Sequence, residues 1–131
     1  MSAKIWLIDE DLSLREALSF LLKAMEYEVA DFAAPAAFDR AAAQQHAVHG
    51  CLLLDAGRQT KGGLAWLAEQ EARFPLLPVI IMTDDASVEA CRHAAGDSAF
   101  GVFAKPLDIE PLLDTIRLAM QESEQRMAAV R

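Results

Sequence analysis

Five short apolar segments recur along the chain, and a polar stretch separates each from the next. The segments are residues 4–9, 27–32, 51–55, 78–83 and 99–104. The first, third and fourth are nearly unbroken apolar runs, as expected of parallel strands that are covered on both faces. The second and fifth are less apolar. The pattern therefore predicts five strands, with the second and fifth at the edges of the sheet.

Each predicted strand is followed by a stretch that favours a helix. Apolar residues at helical spacing predict a strong amphipathic helix that is capped by Ser13 and runs to Met25. Thinner helices are expected over 35–45, 64–73 and 87–95, and a last helix follows Asp108. Five strand–helix repeats predict an α/β fold with three layers, α/β/α, and right-handed crossovers. This is a flavodoxin-like (βα)5 arrangement with a five-stranded parallel sheet in the order 2-1-3-4-5.

Composition and charge narrow the class of protein. The chain has 131 residues with 53% apolar content, which suits one globular domain and excludes disorder. A net charge of −8 leaves no basic patch for nucleic acid or for an acidic membrane. Residues 1–4 lead straight into a strand, so we expect no signal peptide. Cys51 and Cys91 are expected to be reduced thiols, and the cytoplasm is the expected location.

Functional side chains follow four of the five predicted strands. They are Asp9 with Glu10, Asp55, Thr83 and Lys105. The first and third strands are neighbours at the point where the strand order reverses, so the three carboxylates should converge there. Clustered carboxylates repel each other, and a Mg²⁺ ion would relieve that repulsion. With the added cation of Lys105 and the hydroxyl of Thr83, the set suits phosphoryl transfer to a carboxylate.

Over residues 4–121 the sequence resembles the receiver domain of two-component response regulators. The motifs that carry the resemblance are Leu7-Ile8-Asp9-Glu10-Asp11 with Arg15, Leu53-Leu54-Asp55, Gly62-Gly63-Leu64, Ile81-Met82-Thr83 and Ala104-Lys105-Pro106. The resemblance implies a signalling domain that takes a phosphoryl group from a sensor histidine kinase or phosphotransfer protein. Such a domain is not an enzyme beyond its own phosphorylation and dephosphorylation.

The resemblance also assigns roles to individual residues. Asp55 would accept the phosphoryl group, while Asp9, Glu10, Asp55 and the backbone carbonyl of Gly57 would hold Mg²⁺. Thr83 would bond a phosphoryl oxygen. Lys105 would pair first with the Asp55 carboxylate and then with the phosphoryl group.

Domain limits and partners follow from the same resemblance. The receiver domain is expected to span residues 1–121, with 122–131 as a helix extension or the start of a linker to an output domain. The sequence of residues 14–18 is similar to that of receivers that precede a helix-turn-helix transcriptional output. Any DNA binding would belong to that output. A homodimer through the fourth predicted helix, the fifth strand and the fifth helix is also expected.

The sequence departs from the family pattern in four places. Glu10 stands where the family usually has Asp, and its extra methylene alters the reach to a metal. Arg58-Gln59 replaces the usual Met-Pro, and Asp84 replaces a small residue after the hydroxyl. Val102 stands where the family has an aromatic ring that moves with the threonine. These departures leave open a pseudo-receiver that binds proteins without being phosphorylated.

A phosphatase of the haloacid dehalogenase type is a further alternative. Residues 9–13 resemble its Asp-x-Asp-x-Thr signature, with Asp9 as the nucleophile. In that family the closing acidic pair follows the lysine, whereas Asp84-Asp85 precedes Lys105 here. A flavin-binding module is disfavoured, because the acidic residues 9–11 would repel its phosphate.

Overall fold

Five strands form a single parallel sheet, and each strand coincides with one of the apolar segments of the sequence. They are β1 (Lys4–Ile8), β2 (Val29–Phe32), β3 (Gly50–Gly57), β4 (Val79–Asp84) and β5 (Gly101–Lys105). The strand order is β2-β1-β3-β4-β5, and every neighbouring pair is parallel. The predicted order 2-1-3-4-5 and the α/β class are confirmed, with β2 and β5 at the edges.

The structure is a computed structural model, and it describes residues 3–45, 47–57, 66–67, 69 and 73–130. The departure at Arg58-Gln59, the motif at 62–64 and much of the helix expected over 64–73 lie outside the described residues. The described residues form four α-helices. They are α1 (Leu12–Ala24), α2 (Pro35–Ala42), α3 (Val88–Ala95) and α4 (Ile109–Ala129). None of these helices has the length and apolar content needed to span a bilayer.

Apolar side chains alternate between the two faces of the sheet. Ile5 and Leu7 belong to a layer that α1 and α4 cover with Leu18, Leu22, Leu112 and Ile116. Trp6 and Ile8 belong to the opposite layer, which also contains residues of α2, α3 and the 66–77 segment. Because the central strands are covered on both faces, they carry the unbroken apolar runs seen in the sequence.

An aromatic cluster centred on Phe38 ties α2 to the sheet. The Phe38 side chain is fully buried, and it makes edge-on contacts with Trp6, Phe32, Trp66 and Phe74 at ring-centroid distances of 5.4–5.8 Å. The Trp66 indole also donates a hydrogen bond of 3.1 Å to an Asp39 carboxylate oxygen. One phenylalanine therefore anchors the otherwise alanine-rich α2.

The N-terminus of α1 differs from the prediction. The sequence suggested Ser13 as the cap, but the helix begins at Leu12 and Asp11 occupies the N-cap position. The Asp11 carboxylate accepts a 3.2 Å hydrogen bond from the backbone N–H of Leu14. Both residue types suit a cap, and this hydrogen bond decides in favour of the earlier one. The predicted Ser13 cap is therefore wrong by two residues.

The C-terminal helix continues without a break to Ala129 and packs against the far end of the sheet. Ser123 is fully buried in its last third. Its hydroxyl accepts a 2.7 Å hydrogen bond from the Gly50 N–H and donates one of 2.7 Å to the Leu76 carbonyl. Arg126 adds a 3.2 Å hydrogen bond to the Pro75 carbonyl. The C-terminal half of α4 is thus bonded to the start of β3 and to the turn before β4.

Candidate functional site

Lys105 brings two carboxylates together at the C-terminal edge of the sheet. Its Nζ lies 2.9 Å from Asp9 Oδ2 and 3.2 Å from Asp55 Oδ1. Asp9 directly follows β1, Asp55 lies in β3, and Lys105 is the last residue of the edge strand β5. In the strand order, β4 separates Lys105 from Asp55, and both β4 and β3 separate it from Asp9, so the long lysine side chain reaches across the edge of the sheet. Three of the predicted site residues therefore meet at one point.

Asp9 is hydrogen-bonded through both carboxylate oxygens and through its backbone. The residue is 1% exposed. Oδ1 accepts a 2.9 Å hydrogen bond from the Asp11 N–H, and Oδ2 accepts one from Lys105. Its own N–H donates to the Phe32 carbonyl at 3.0 Å. Burial raises the pKa of Asp9, the bonds from Lys105 and Asp11 oppose the rise, and the nearby Asp55 charge adds to it.

The charge state of Lys105 follows from its two partners. Burial alone would lower the pKa of its ammonium group. The hydrogen bond to Asp9 and the Asp55 charge outweigh that burial, so the pKa of Lys105 is raised. The Lys105 side chain is therefore protonated and positively charged at neutral pH. With both carboxylates ionised, this group of three carries one more negative than positive charge.

The donor atoms at this centre suit a hard divalent cation. Asp9 and Asp55 supply two carboxylates, and Mg²⁺ in proteins needs only one or two together with water and phosphate oxygens. Glu10, which the sequence placed in the same cluster, is exposed. Within the described part of the chain, no three His, Cys, Asp or Glu side chains form a group that could hold a metal ion. The structure thus brings together two of the three expected acids.

Thr83 and Gly57 lie at the same edge of the sheet. The two residues pair across β3 and β4, where the register shifts between Asp55 and Gly57. Thr83 is fully buried. The strand β3 extends through Ala56 and Gly57, two residues beyond the predicted segment 51–55. The longer strand positions the backbone of Gly57 two residues beyond the candidate phosphoacceptor.

The carboxylate of Asp84 serves as a helix cap. It accepts a 2.9 Å hydrogen bond from the backbone N–H of Ser87, in the 3₁₀ turn Asp85–Ser87 that leads into α3. A carboxylate at this position would repel a phosphoryl group if it pointed into the site. In the structure it caps the 3₁₀ turn that leads into α3 instead.

Val102 and its aromatic neighbours occupy different faces of β5. Val102 packs against the apolar layer that contains Cys91 and Ala95 of α3. Phe103 packs against the opposite layer with Leu112. Phe100 precedes the strand and is exposed. On the α3 side, β5 therefore presents a valine at the position where the family usually has an aromatic ring.

Arg15 and Asp31 join the site although the sequence gave neither of them a role. Arg15 Nη1 donates a 2.7 Å hydrogen bond to the backbone carbonyl of Asp9, and its Nε donates one of 2.9 Å to Asp31 Oδ2. The available signals were weak. Arg15 lies one helical turn after the Asp11 cap, and Asp31 is an acid in an apolar edge strand. Neither pattern alone identifies a contact.

Comparison with protein families gives a direct match over most of the chain. Residues 5–117 match the model described as the response regulator receiver domain. The chain is 31% identical over 121 residues to the transcriptional regulatory protein ZraR of Salmonella typhimurium, covering 92% of this chain and 27% of that protein. It is 30% identical to the DNA-binding transcriptional regulator NtrC of Escherichia coli, covering 93% of this chain and 26% of that protein. The chain spans about a quarter of the length of these relatives.

Solved structures of similar fold agree with the family match. The response regulator StyR aligns with a TM-score of 0.85 and 26% identity, covering 98% of this chain and 64% of that one. A response regulator receiver domain protein from Clostridium thermocellum aligns with a TM-score of 0.82 and 22% identity, covering 95% and 98% of the two chains, which supports the fold. On the family match and this fold, the chain belongs to the response regulator receiver domain family.

Proposed function

We propose that Asp55 is the phosphoacceptor of this receiver domain and takes its phosphoryl group from a phosphohistidine on a sensor histidine kinase or phosphotransfer protein. The observation that carries the proposal is the position of Lys105 Nζ, within 3.2 Å of both Asp9 and Asp55. An ammonium group between two carboxylates at the C-terminal edge of a parallel sheet is placed where phosphoryl oxygens need neutralising.

The transfer is a substitution at phosphorus. A carboxylate oxygen of Asp55 attacks the phosphorus atom, an O–P bond forms, and the P–N bond to the donor histidine breaks. The electron pair of that bond stays on the imidazole nitrogen, which then takes a proton from water. In the product, Lys105 pairs with a phosphoryl oxygen, and the hydroxyl of Thr83 donates a hydrogen bond to another.

Mg²⁺ is the cofactor that this centre fits. The carboxylates of Asp9 and Asp55 and the backbone carbonyl of Gly57 would hold it, with Glu10 contributing through water. When bound, Mg²⁺ would neutralise charge on the transferring phosphoryl group. With both carboxylates ionised, Asp9, Asp55 and Lys105 would carry one excess negative charge, and a divalent cation would reverse its sign.

The wider setting of the domain is part of the same proposal. We assign the receiver domain to residues 1–121 and a helix extension or linker to 122–131, with a transcriptional output in a longer protein. The names of ZraR and NtrC as transcriptional regulators support that output. A homodimer through α3, β5 and α4, no nucleic-acid or membrane contact by this domain, and a cytoplasmic location stay predictions.

Phosphorylation with a small donor tests the proposal. The protein is incubated with Mg²⁺ and acetyl phosphate, and intact mass and peptide mapping then locate any acid-stable, base-labile phosphoryl group. We expect one group on Asp55, none after chelation of Mg²⁺ and none in Asp55→Asn. Asp85→Asn is the matched control, because it makes the same change at an exposed acid on the same side of the sheet. That variant should label like the wild type.

Two other outcomes would favour the alternative functions. A folded protein that binds Mg²⁺ and gains no phosphoryl group would be a pseudo-receiver. Labelling on Asp9 with release of phosphate would indicate a phosphatase of the haloacid dehalogenase type.

A further inference from the structure

Arg15 links three elements around the backbone of Asp9. Its guanidinium group donates to the Asp9 carbonyl at 2.7 Å and forms an ion pair with Asp31 at 2.9 Å. Arg15 lies in α1, Asp9 follows β1, and Asp31 lies in the edge strand β2. The Arg15 side chain is only 14% exposed. It is thus a nearly buried side chain fixed at both ends of its guanidinium group.

These contacts fix the direction of the Asp9 side chain. Phe32 accepts from the N–H of Asp9, and Arg15 donates to its carbonyl, so the peptide groups on both sides of the Asp9 Cα are bonded. The direction of the Cα–Cβ bond depends on those two groups. Without Arg15, the Asp9 carbonyl loses this hydrogen bond, and the carboxylate keeps its bonds from the Asp11 N–H and from Lys105.

The charge of Arg15 is not what acts on the site. Asp31 neutralises it at 2.9 Å, and the hydrogen bond to Asp9 goes to the backbone carbonyl and not to the carboxylate. The contribution of Arg15 is therefore geometric. Residues that orient a metal ligand through hydrogen bonds change metal affinity about 10–100-fold when they are removed.

We propose that Arg15, held in place by Asp31, is a positioning residue that orients the Asp9 carboxylate for divalent-cation binding. This inference rests on the function proposed above. Asp31 acts only through Arg15, so the two residues should behave as one unit when each is replaced.

Mg²⁺ titration of the full chain by calorimetry tests the inference. In Arg15→Ala we expect the Mg²⁺ dissociation constant to rise about tenfold, which is the lower end of the range for such orienting residues. Asp31→Ala should raise it less, and the double variant should bind Mg²⁺ no more weakly than Arg15→Ala. Arg15→Lys should recover part of the affinity, because an ammonium group can still donate to the Asp9 carbonyl. Arg92→Ala, which removes an exposed arginine paired with Glu89, should bind Mg²⁺ like the wild type.

Two further measurements separate positioning from general damage. At saturating Mg²⁺, Arg15→Ala should be phosphorylated by acetyl phosphate at close to the wild-type rate, because excess cation compensates for weak binding. Without Mg²⁺, the Asp11 amide of Arg15→Ala should exchange its hydrogen faster, since its acceptor Asp9 is less ordered. If Arg15→Ala does not fold, Asp31→Ala and Arg15→Lys carry the same comparisons.

The failures of the two proposals can be told apart. If the wild type binds Mg²⁺ and labels on Asp55 while Arg15→Ala keeps its Mg²⁺ affinity, the positioning role is overturned and the phosphoacceptor role stands. If the wild type neither binds Mg²⁺ nor labels, both are overturned. An unchanged exchange rate of the Asp11 amide in Arg15→Ala would reject the ordering of Asp9 independently of any metal.

Discussion

The Asp84 carboxylate accepts a 2.9 Å hydrogen bond from the Ser87 N–H, so the acid one residue after Thr83 caps the 3₁₀ turn Asp85–Ser87 that leads into α3. The cap lies between the site and a helix that buries only Cys91 and Ala95. The N-cap residue of α3, Ser87, makes no side-chain capping bond, so this short helix with few buried side chains depends on the turn that precedes it. The stability of α3 is therefore coupled to the loop that follows Thr83.

Asp84→Ala should lower the local stability of α3 more than it lowers the stability of the whole domain. Loss of the cap is expected to cost about 1 kcal/mol and to speed amide hydrogen exchange in Val88–Ala95. Asp85→Ala, at the neighbouring exposed acid, is the control and should change exchange less. Equal exchange in the two variants would show that the Asp84 bond does not hold the helix.

Lys105→Met should lower the free energy of unfolding at neutral pH, because it leaves two carboxylates facing each other. We expect a loss of about 1–3 kcal/mol, less than for a fully buried pair because the Lys105 side chain is 25% exposed. Urea denaturation measures the loss. Lys23→Met, at an exposed lysine of α1, is the matched control and should be near neutral.

The destabilisation in Lys105→Met should also depend on pH. Burial raises the pKa of Asp9 in the folded state. Its protonated carboxyl therefore makes its full contribution to the free energy of unfolding below the ordinary pKa of 3.8, and that contribution is lost as pH rises through the raised pKa. Removing Lys105 deletes a hydrogen bond that opposes the rise. The difference in unfolding free energy between wild type and variant should therefore be small below about pH 4 and grow towards neutral pH. A constant difference would contradict this account of Asp9.

Phe38→Ala should be among the most damaging core substitutions. Phe38 is fully buried and contacts four aromatic rings, so its removal is expected to cost about 3–5 kcal/mol of unfolding free energy. Phe20→Ala makes the same change at a side chain that is 79% exposed, and it should cost less than about 0.5 kcal/mol. Chemical denaturation of both variants checks the contrast.

Both cysteines should resist thiol reagents in the folded protein. Cys51 and Cys91 are 0% exposed, and burial raises the pKa of the Cys51 thiol. Neither should be modified at mildly alkaline pH, whereas both should react in denaturant. Ser13→Cys provides an exposed thiol as the positive control. Rapid modification of native Cys51 would show that β3 opens readily.

The apolar pattern predicted the strands well, because a strand that is buried on both faces consists almost entirely of apolar residues. The unbroken runs in β1, β3 and β4 identified the central strands and placed Asp9 and Asp55 at one edge. The place of Lys105 after the last strand predicted its charge at the same edge, whereas its 2.9 Å contact with Asp9 was not predicted. These features depend on strand order, which hydrophobic patterning controls.

Features set by single hydrogen bonds in loops could not be predicted in this way. Asp11 and Ser13 are both good cap residues by type, and only the fold selects Asp11. Glu10 and Asp84 adjoin the site in sequence, yet Glu10 is exposed and Asp84 caps a helix. Side-chain direction at the end of a strand depends on tertiary contacts that no local pattern records.

The bonds of Ser123 give β3 a mechanical part in the domain. One end of this strand is tied to α4 through the Gly50 N–H, and the other end carries Asp55. β3 is a central strand that is hydrogen-bonded on both sides, so a force on the last turns of α4 is transmitted to the strand that carries the candidate phosphoacceptor. The end of α4 and the site at Asp55 are therefore connected through β3.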